Sequence, residues 1–252
     1  MIRRFTPAAL LGLVVVLGAC GPAAPAISDP DEIISQGMQA TSQATSFHLE
    51  AQVSGSVNIP DTGGTFNLEG TKASGDFDIA NEAGRITFEA PGLMGLTGEV
   101  ITIGEEAFIK TSLSGTQYMK SSASDSGVKL EPDEVLSQVS SFLDEEGVET
   151  AKGDDVSCGD ATCYAVTLTI PSSLMAEPGP SGVDAGDFLG EDLVLNLQFD
   201  RETLRLVQVT TDIDAGDTGT FGLLLTISKY NEAVQVSPPP SDQVTEGGGL
   251  PF

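Results

Sequence analysis

Phe47-His48-Leu49-Glu50-Ala51-Gln52-Val53-Ser54-Gly55-Ser56-Val57-Asn58-Ile59 alternates apolar and polar side chains almost without a break. The apolar side chains would share one face of an extended chain and the polar ones the other, which is typical of a half-buried antiparallel strand. At about 3.3 Å per residue this segment would span roughly 43 Å, well beyond the usual strand length. The segment therefore predicts a large sheet.

Similar alternation recurs through the rest of the chain, separated by turns rich in Gly, Asn, Asp and Ser. Glycines at 70 and 75 indicate bulges in the segment that follows the first strand. The sequence thus predicts a mainly β domain. The further predicted strands cover residues 66–79, 85–90, 98–103, 107–111, 117–120, 148–157, 163–170, 193–199, 204–213 and 220–230.

Two helices are predicted beside this sheet. Ser28-Asp29-Pro30-Asp31-Glu32 combines a capping residue, an early proline and an acidic first turn, so a helix should begin there and run to about Ser46. Glu131-Pro132-Asp133-Glu134 starts a second helix that should end near Gly147, and residues 171–175 could form a third, single turn. Two short helices cannot cover the whole apolar face of so large a sheet. Either the sheet folds onto itself as a sandwich, or it encloses an apolar space suited to a lipid.

The N-terminus resembles a bacterial lipoprotein signal. Arg3 and Arg4 precede an apolar run from Ala8 to Leu17, and Leu17-Gly18-Ala19-Cys20 places small residues before a cysteine. The run is too short to span a bilayer. The resemblance implies that residues 1–19 are removed, that Cys20 carries the lipid anchor, and that residues 20–27 form a tether. The alternative is an ordinary secretory signal with an incidental cysteine.

The chain is strongly acidic, with 37 Asp and Glu against 11 Lys and Arg and a formal net charge of −26. Two of the basic residues lie in the predicted signal, and the others are scattered singly. Nucleic-acid binding requires clustered Lys and Arg, so the composition argues against that role. An anionic membrane surface would also repel the body of the domain. A simpler interpretation of the acidity is an adaptation for solubility or to a salty habitat.

With Cys20 assigned to lipid, Cys158 and Cys163 remain as one pair in an exported chain. The residues between them, Gly159-Asp160-Ala161-Thr162, are typical of a turn, which favours a disulfide at the neck of a hairpin. A metal site is the alternative, but the spacing is not CxxC and the single histidine is distant in sequence. The sequence predicts no metal and no cofactor.

Catalytic signatures are weak. His48 is the only imidazole and falls on the polar face of the first strand, and the sequence has no nucleophile elbow, P-loop or zinc signature. The acidic pairs Asp154-Asp155 and Glu105-Glu106 could suggest glycoside cleavage or calcium, but they fall in turns of a chain rich in acids. We expect a protein that is not an enzyme.

Three features together resemble the LppX/LprA/LprF/LprG family of envelope lipoproteins, which is related to the LolA/LolB carriers. The first is the order of lipoprotein signal, helix, long strand from Ser46-Phe47-His48, glycine-punctuated meander, strand with Tyr118, second helix and late hairpins. The second is the hairpin Phe199-Asp200-Arg201-Glu202-Thr203-Leu204-Arg205-Leu206, and the third is Ser228-Lys229-Tyr230-Asn231-Glu232-Ala233-Val234 before prolines. The similarity covers about residues 28–240.

This resemblance implies an incomplete antiparallel β-barrel around two or three helices, forming one domain over residues 28–236. The stretch Ser237-Pro238-Pro239-Pro240 and the Gly-rich end predict that residues 237–252 form a disordered tail. It also implies an apolar cavity that carries the acyl chains of lipids or glycolipids within the envelope. The partners would be that lipid, the membrane through Cys20 and an envelope transport partner, with the protein itself a monomer on the outer face of the cell membrane. The alternative is a surface-anchored structural or interaction module with a filled core. The candidate cavity residues are the in-facing members of the strands: Val53, Phe66, Leu68, Phe77, Ile79, Phe88, Phe108, Leu195, Leu197 and Phe199.

Overall fold

The computed structural model describes residues 26–59, 64–124, 143, 145–175 and 192–246. Within these residues the chain forms one α-helix, α1 (Pro30–Ser42), and one large sheet. The strands are β1 (Ser46–Ile59), β2 (Gly64–Asn67), β3 (Thr71–Asp78), β4 (Ala83–Ala90), β5 (Leu96–Ile103), β6 (Glu106–Thr111), β7 (Tyr118–Ser122), β8 (Glu149–Lys152), β9 (Val156–Cys158), β10 (Ala161–Ile170), β11 (Leu193–Asp200), β12 (Leu206–Asp214), β13 (Gly219–Ser228) and β14 (Val244–Glu246).

The strands follow the order β14-β7-β6-β5-β4-β3-β1-β13-β12-β11-β10-β8, with β2 beside β1 and β9 beside β10. Every pairing is antiparallel except that of β14 with β7. β1 lies at the centre, where it pairs with β3 on one side and β13 on the other. The sheet does not close on itself, which agrees with the predicted incomplete barrel.

The helix begins where the sequence predicts. The Asp29 side chain accepts hydrogen bonds from the backbone N–H groups of Asp31 and Glu32, and Pro30 occupies the first turn. These are the donors that a helix start leaves without partners. The helix ends at Ser42, four residues before the predicted end, because β1 already begins at Ser46.

The bulge predicted at Gly70 separates β2 from β3. Both strands pair with β1, and between them Leu68 donates its N–H to the carbonyl of Gly55 while Gly70 has a positive φ of 76°. Gly75 is different, because the register of β3 continues through it without a bulge. A Cβ at residue 75 would lie 2.9 Å from the carbonyl oxygen of Arg85, so this position needs glycine for close packing.

Asp200-Arg201-Glu202-Thr203 forms the turn of the hairpin between β11 and β12. One carboxylate oxygen of Asp200 accepts hydrogen bonds from the N–H of Glu202, the N–H of Thr203 and the Thr203 hydroxyl at 2.7–3.0 Å. These bonds close the turn on itself.

The C-terminal prediction differs from the structure. Prolines after Val236 predict disorder, yet Pro239 is buried and residues 244–246 form β14 along the free edge of β7. An exposed sheet edge is a row of unpaired backbone groups, and this segment covers it. Cys20, residues 1–19, residues 247–252 and most of the second predicted helix lie outside the described residues. The predicted turn at 171–175 is present as a single 3-10 turn, Ser172–Leu174.

Candidate functional site

One face of the sheet, called here the helix face, packs against α1. Ile33 and Ile34 of the helix are fully buried against apolar residues of β10, β11 and β12. Gly37 lets the strand beneath come close, because a Cβ there would lie 2.3 Å from the Phe199 ring. The region below α1 is therefore filled by side chains.

Farther along the helix face the apolar side chains are less covered. We call Leu223 of β13, Val53 of β1, Phe88 of β4 and Leu96 of β5 the apolar strip. The register of the paired strands places all of them on the helix face, and each is half-buried and outside the core beneath α1. The intervening β3 presents the small side chain of Ala73, and the strip is the part of the helix face best suited to an apolar ligand.

The sequence-predicted cavity residues divide into three groups. Leu197 and Phe199 are core residues beneath α1, Leu195 is partly buried against them, and Phe77 is buried beside Phe47. Val53 and Phe88 belong to the apolar strip. Phe66 is on the helix face but exposed, while Leu68 lies in the bulge and Ile79 in a 3-10 turn.

Phe108 is on the wrong face. It pairs with Ile101 and packs with Tyr118 on the side away from α1, which we call the outer face. Alternation cannot assign β6, because Ala107, Phe108 and Ile109 are all buried. Val236 and Val244 of the C-terminal segment cover this outer-face cluster.

The outer face carries a network of charged groups that the sequence analysis did not identify. Glu99, only 17% exposed, binds Arg85 at 3.0 Å and Lys110 at 3.2 Å. Tyr118 donates its hydroxyl hydrogen to Glu99 at 2.5 Å and accepts one from Lys110 at 2.9 Å. Burial opposes ionisation of Glu99, but the hydrogen bonds from Tyr118 and Lys110 and the charge of Arg85 outweigh it, so its pKa lies below the ordinary value. Arg85, Glu99 and Lys110 lie on three consecutive strands that pair with one another. The pairing of these strands is the signal that could have predicted this network.

An open groove of about 600 Å³ lies on the outer face beside this network. Its walls include Glu50, Lys72, Glu89 and Glu99, and Lys72 pairs with Glu89 at 3.1 Å. Most residues that line the groove are polar or charged, so it does not match the apolar cavity that the sequence predicts.

The remaining polar candidates are held in separate ion pairs. His48 binds Asp76 at 2.7 Å on the outer face, and Asp155 binds Lys152 and Arg201 at 2.8 and 2.9 Å. Across the part of the chain that the structure describes, no group of three or more His, Cys, Asp and Glu side chains is arranged to hold a metal. Cys158 and Cys163 form the predicted disulfide across the β9–β10 hairpin.

The solved structures that are similar to this chain include two mycobacterial proteins. Lipoprotein LppX of Mycobacterium tuberculosis is 20% identical, with 83% of this chain and 100% of that chain covered and a TM-score of 0.54. LprF from Mycobacterium bovis is 16% identical, with 83% and 96% covered and a TM-score of 0.55. The chain has the LppX/LprF fold. The family resemblance inferred from the sequence is thus supported at the level of the fold.

No family model matches the chain, and no curated protein sequence matches it. The LppX/LprF fold is therefore recognisable here from structure rather than from overall sequence similarity. Among the described residues, no helix is both long and apolar enough to cross a membrane.

Proposed function

We propose that this protein is an envelope lipoprotein that binds acyl lipids or glycolipids on the helix face of its sheet and carries them without chemical change. The observation that carries the proposal is the apolar strip. Four large apolar side chains share one face beyond the filled core under α1 and stay only half-buried. Contact with acyl chains would remove this surface from water, at roughly 25 cal/mol per Å².

The fold also supports the proposal of a lipid-binding lipoprotein. LppX is described as a lipoprotein, and both LppX and LprF share this fold over 83% of the chain. The N-terminal signal ending in Cys20 fits such an anchor. The protein would then reside on the outer face of the cell membrane, held by lipid on Cys20, with the domain beyond a short tether.

Bound lipid is tested with a Cys20→Ser protein purified from a lipid-containing host and extracted for mass spectrometry. We expect acyl lipid in near-stoichiometric amount, and uptake of a fluorescent fatty acid by the delipidated protein. Absence of both would contradict the carrier and would favour the alternative of an interaction module with a filled core.

Two matched substitutions in β13 test which face of the sheet binds the lipid. Leu223 faces the strip and Leu224 faces the outer side, and both are half-buried. Leu223→Asn should weaken probe binding about tenfold, which corresponds to about 1.4 kcal/mol, whereas Leu224→Asn should leave it unchanged. Equal effects of the two substitutions would indicate that the lipid does not bind at the apolar strip.

The anchor is tested separately. The intact mass of the wild-type protein, purified from bacterial membranes, should correspond to a chain that begins at Cys20 and carries added acyl groups. Cys20→Ser should release the protein from the membrane fraction. A chain that begins at another residue without lipid would support the ordinary secretory signal.

A further inference from the structure

The exposed large hydrophobic side chains among the described residues lie toward one end of the strands. They are Phe66 (39% exposed), Met94 (94%), Leu113 (73%) and Val194 (37%). Isolated exposed apolar residues are normal, but a group of them at one place marks an interaction site.

The strand register places all four at the end of the sheet where β1 finishes. Phe66 pairs with Val57 near that end. Met94 lies in the turn between β4 and β5, and Leu113 lies in the turn between β6 and β7. Val194 pairs with Thr169, which is one residue before the end of β10, and β10 ends on the same side of the sheet as β1. Four strands separate Val194 in β11 from β4. We call Met94 and Leu113, which lie in the turns of neighbouring hairpins, the apolar rim.

The two most exposed side chains are held on ordered, adjacent turns. Met94 has a left-handed φ of 55°, and the turn around it is closed by the N–H of Gly95 bonding to the carbonyl of Pro91 at 3.0 Å. Ser114 closes the other turn through bonds to Thr111. The turns are joined to each other, because Ser112 donates its N–H to the carbonyl of Thr97 at 2.8 Å.

Charge is depleted at these two turns. Residues 90–98 and 111–119 contain no charged side chain in a chain with 37 acidic residues. The turns at the opposite end carry charges, at Glu82, Glu105, Asp160, Arg201 and Glu232. On the rim side, acidic residues also occur between strands, at Asp61, Glu69, Asp192 and Asp217, but none lies in the two turns that carry Met94 and Leu113.

We propose that the apolar rim is a docking surface for a lipid bilayer, with Met94 and Leu113 entering the interfacial region of the membrane. Apolar side chains on uncharged turns gain free energy at that interface, whereas the acidic body of the protein is repelled by anionic lipid. The rim therefore matches a bilayer that is neutral at its surface. The docked rim would bring one end of the apolar strip to the membrane.

The chain contains no tryptophan, so a single introduced one reports on the rim alone. In the Cys20→Ser background, Met94→Trp and Leu113→Trp should each show a blue-shifted emission with phosphatidylcholine vesicles and quenching by brominated lipid. Glu105→Trp, at the opposite end of the same strands, is the control and should show neither effect.

Binding itself is measured by vesicle sedimentation of the tryptophan-free protein. The double variant Met94→Asp with Leu113→Asp should lower the bound fraction at least tenfold, and thermal unfolding should be unchanged because both side chains are exposed. Aspartate also tolerates the left-handed backbone at residue 94. Adding anionic lipid should weaken binding of the parent protein.

Three results would overturn the proposal: no vesicle binding by the parent protein, equal binding by the double variant, or binding that needs anionic lipid and disappears at high salt. Capture of a protein at the rim without vesicle binding would also count against it. Lipid extraction and vesicle binding are separate measurements, so the carrier and the rim can fail independently.

Discussion

Gly37 of α1 lies directly over the ring of Phe199 in β11, where a Cβ would come within 2.3 Å of the ring carbon Cδ1. This contact sets the distance between the helix and the sheet. It also explains a glycine in the middle of a helix, where alanine would otherwise be favoured by about 1 kcal/mol.

Gly37→Ala should therefore destabilise the protein by about 1–3 kcal/mol, since overpacking outweighs the gain in helix propensity. The measurement is the urea unfolding midpoint. Ser35→Ala on the exposed side of α1 is the control and should leave the midpoint unchanged or raise it. If Gly37→Ala raised the urea midpoint as much as the control substitution does, α1 would not pack against Phe199 as described.

Removing the disulfide should cost about 2 kcal/mol, the value expected for a short closed loop. Cys158→Ser with Cys163→Ser should lower the unfolding midpoint, and reductant should lower the midpoint of the parent protein to the same value. The double variant itself should not respond to reductant. A parent protein that is insensitive to reductant would argue against a stabilising disulfide.

Glu99→Gln should destabilise the fold at neutral pH, by about 1–3 kcal/mol, because it leaves Arg85 and Lys110 without their carboxylate. A carboxyl group with a lowered folded pKa stabilises the protein above its unfolded pKa, near 4.3, and loses that contribution as pH falls through the folded value. The difference between parent and variant should accordingly shrink below about pH 4.

Glu89→Gln is the matched control for Glu99, because it lies in the same groove with an exposed lysine partner. An exposed ion pair contributes about 1 kcal/mol or less. Unfolding midpoints should be recorded from pH 3 to 8. Equal, pH-independent effects of the two substitutions would contradict the role given to the Glu99 network.

The C-terminal segment should stabilise the sheet. Removing residues 238–252 deletes β14 and takes Val244 from the cluster of Ile101, Phe108 and Tyr118, and we expect a loss of about 2 kcal/mol. The free edge of β7 should also promote self-association, which light scattering measures. Removing only residues 247–252 is the control. A chain ending at residue 237 that stays as stable and monomeric as the control would show that β14 is dispensable.

Local signals in the sequence predicted several elements well. The cap at Asp29, the alternation of β1 and the turn between Cys158 and Cys163 each depend on neighbouring residues, and each is confirmed. The assignment of Phe108 failed because β6 is buried on both faces, so its side chains no longer alternate with solvent.

The C-terminal segment shows a second limit. Its prolines exclude regular structure locally, but the edge of β7 and the Ile101 cluster lie more than a hundred residues away in the chain. A segment that is stabilised by distant partners carries no periodic pattern of its own. Sequence reading therefore assigned disorder to residues that pair with a strand.

The sequence by itself determined the mainly β class, the helix start, the disulfide and the composition of the two uncharged turns, because hydrophobic period and turn chemistry act over a few residues. Tertiary structure alone decided which buried side chains face α1, how Glu99 meets Arg85, Lys110 and Tyr118, and that Met94 and Leu113 lie in neighbouring turns. Those outcomes depend on strand register, which is set by pairings between segments far apart in the chain.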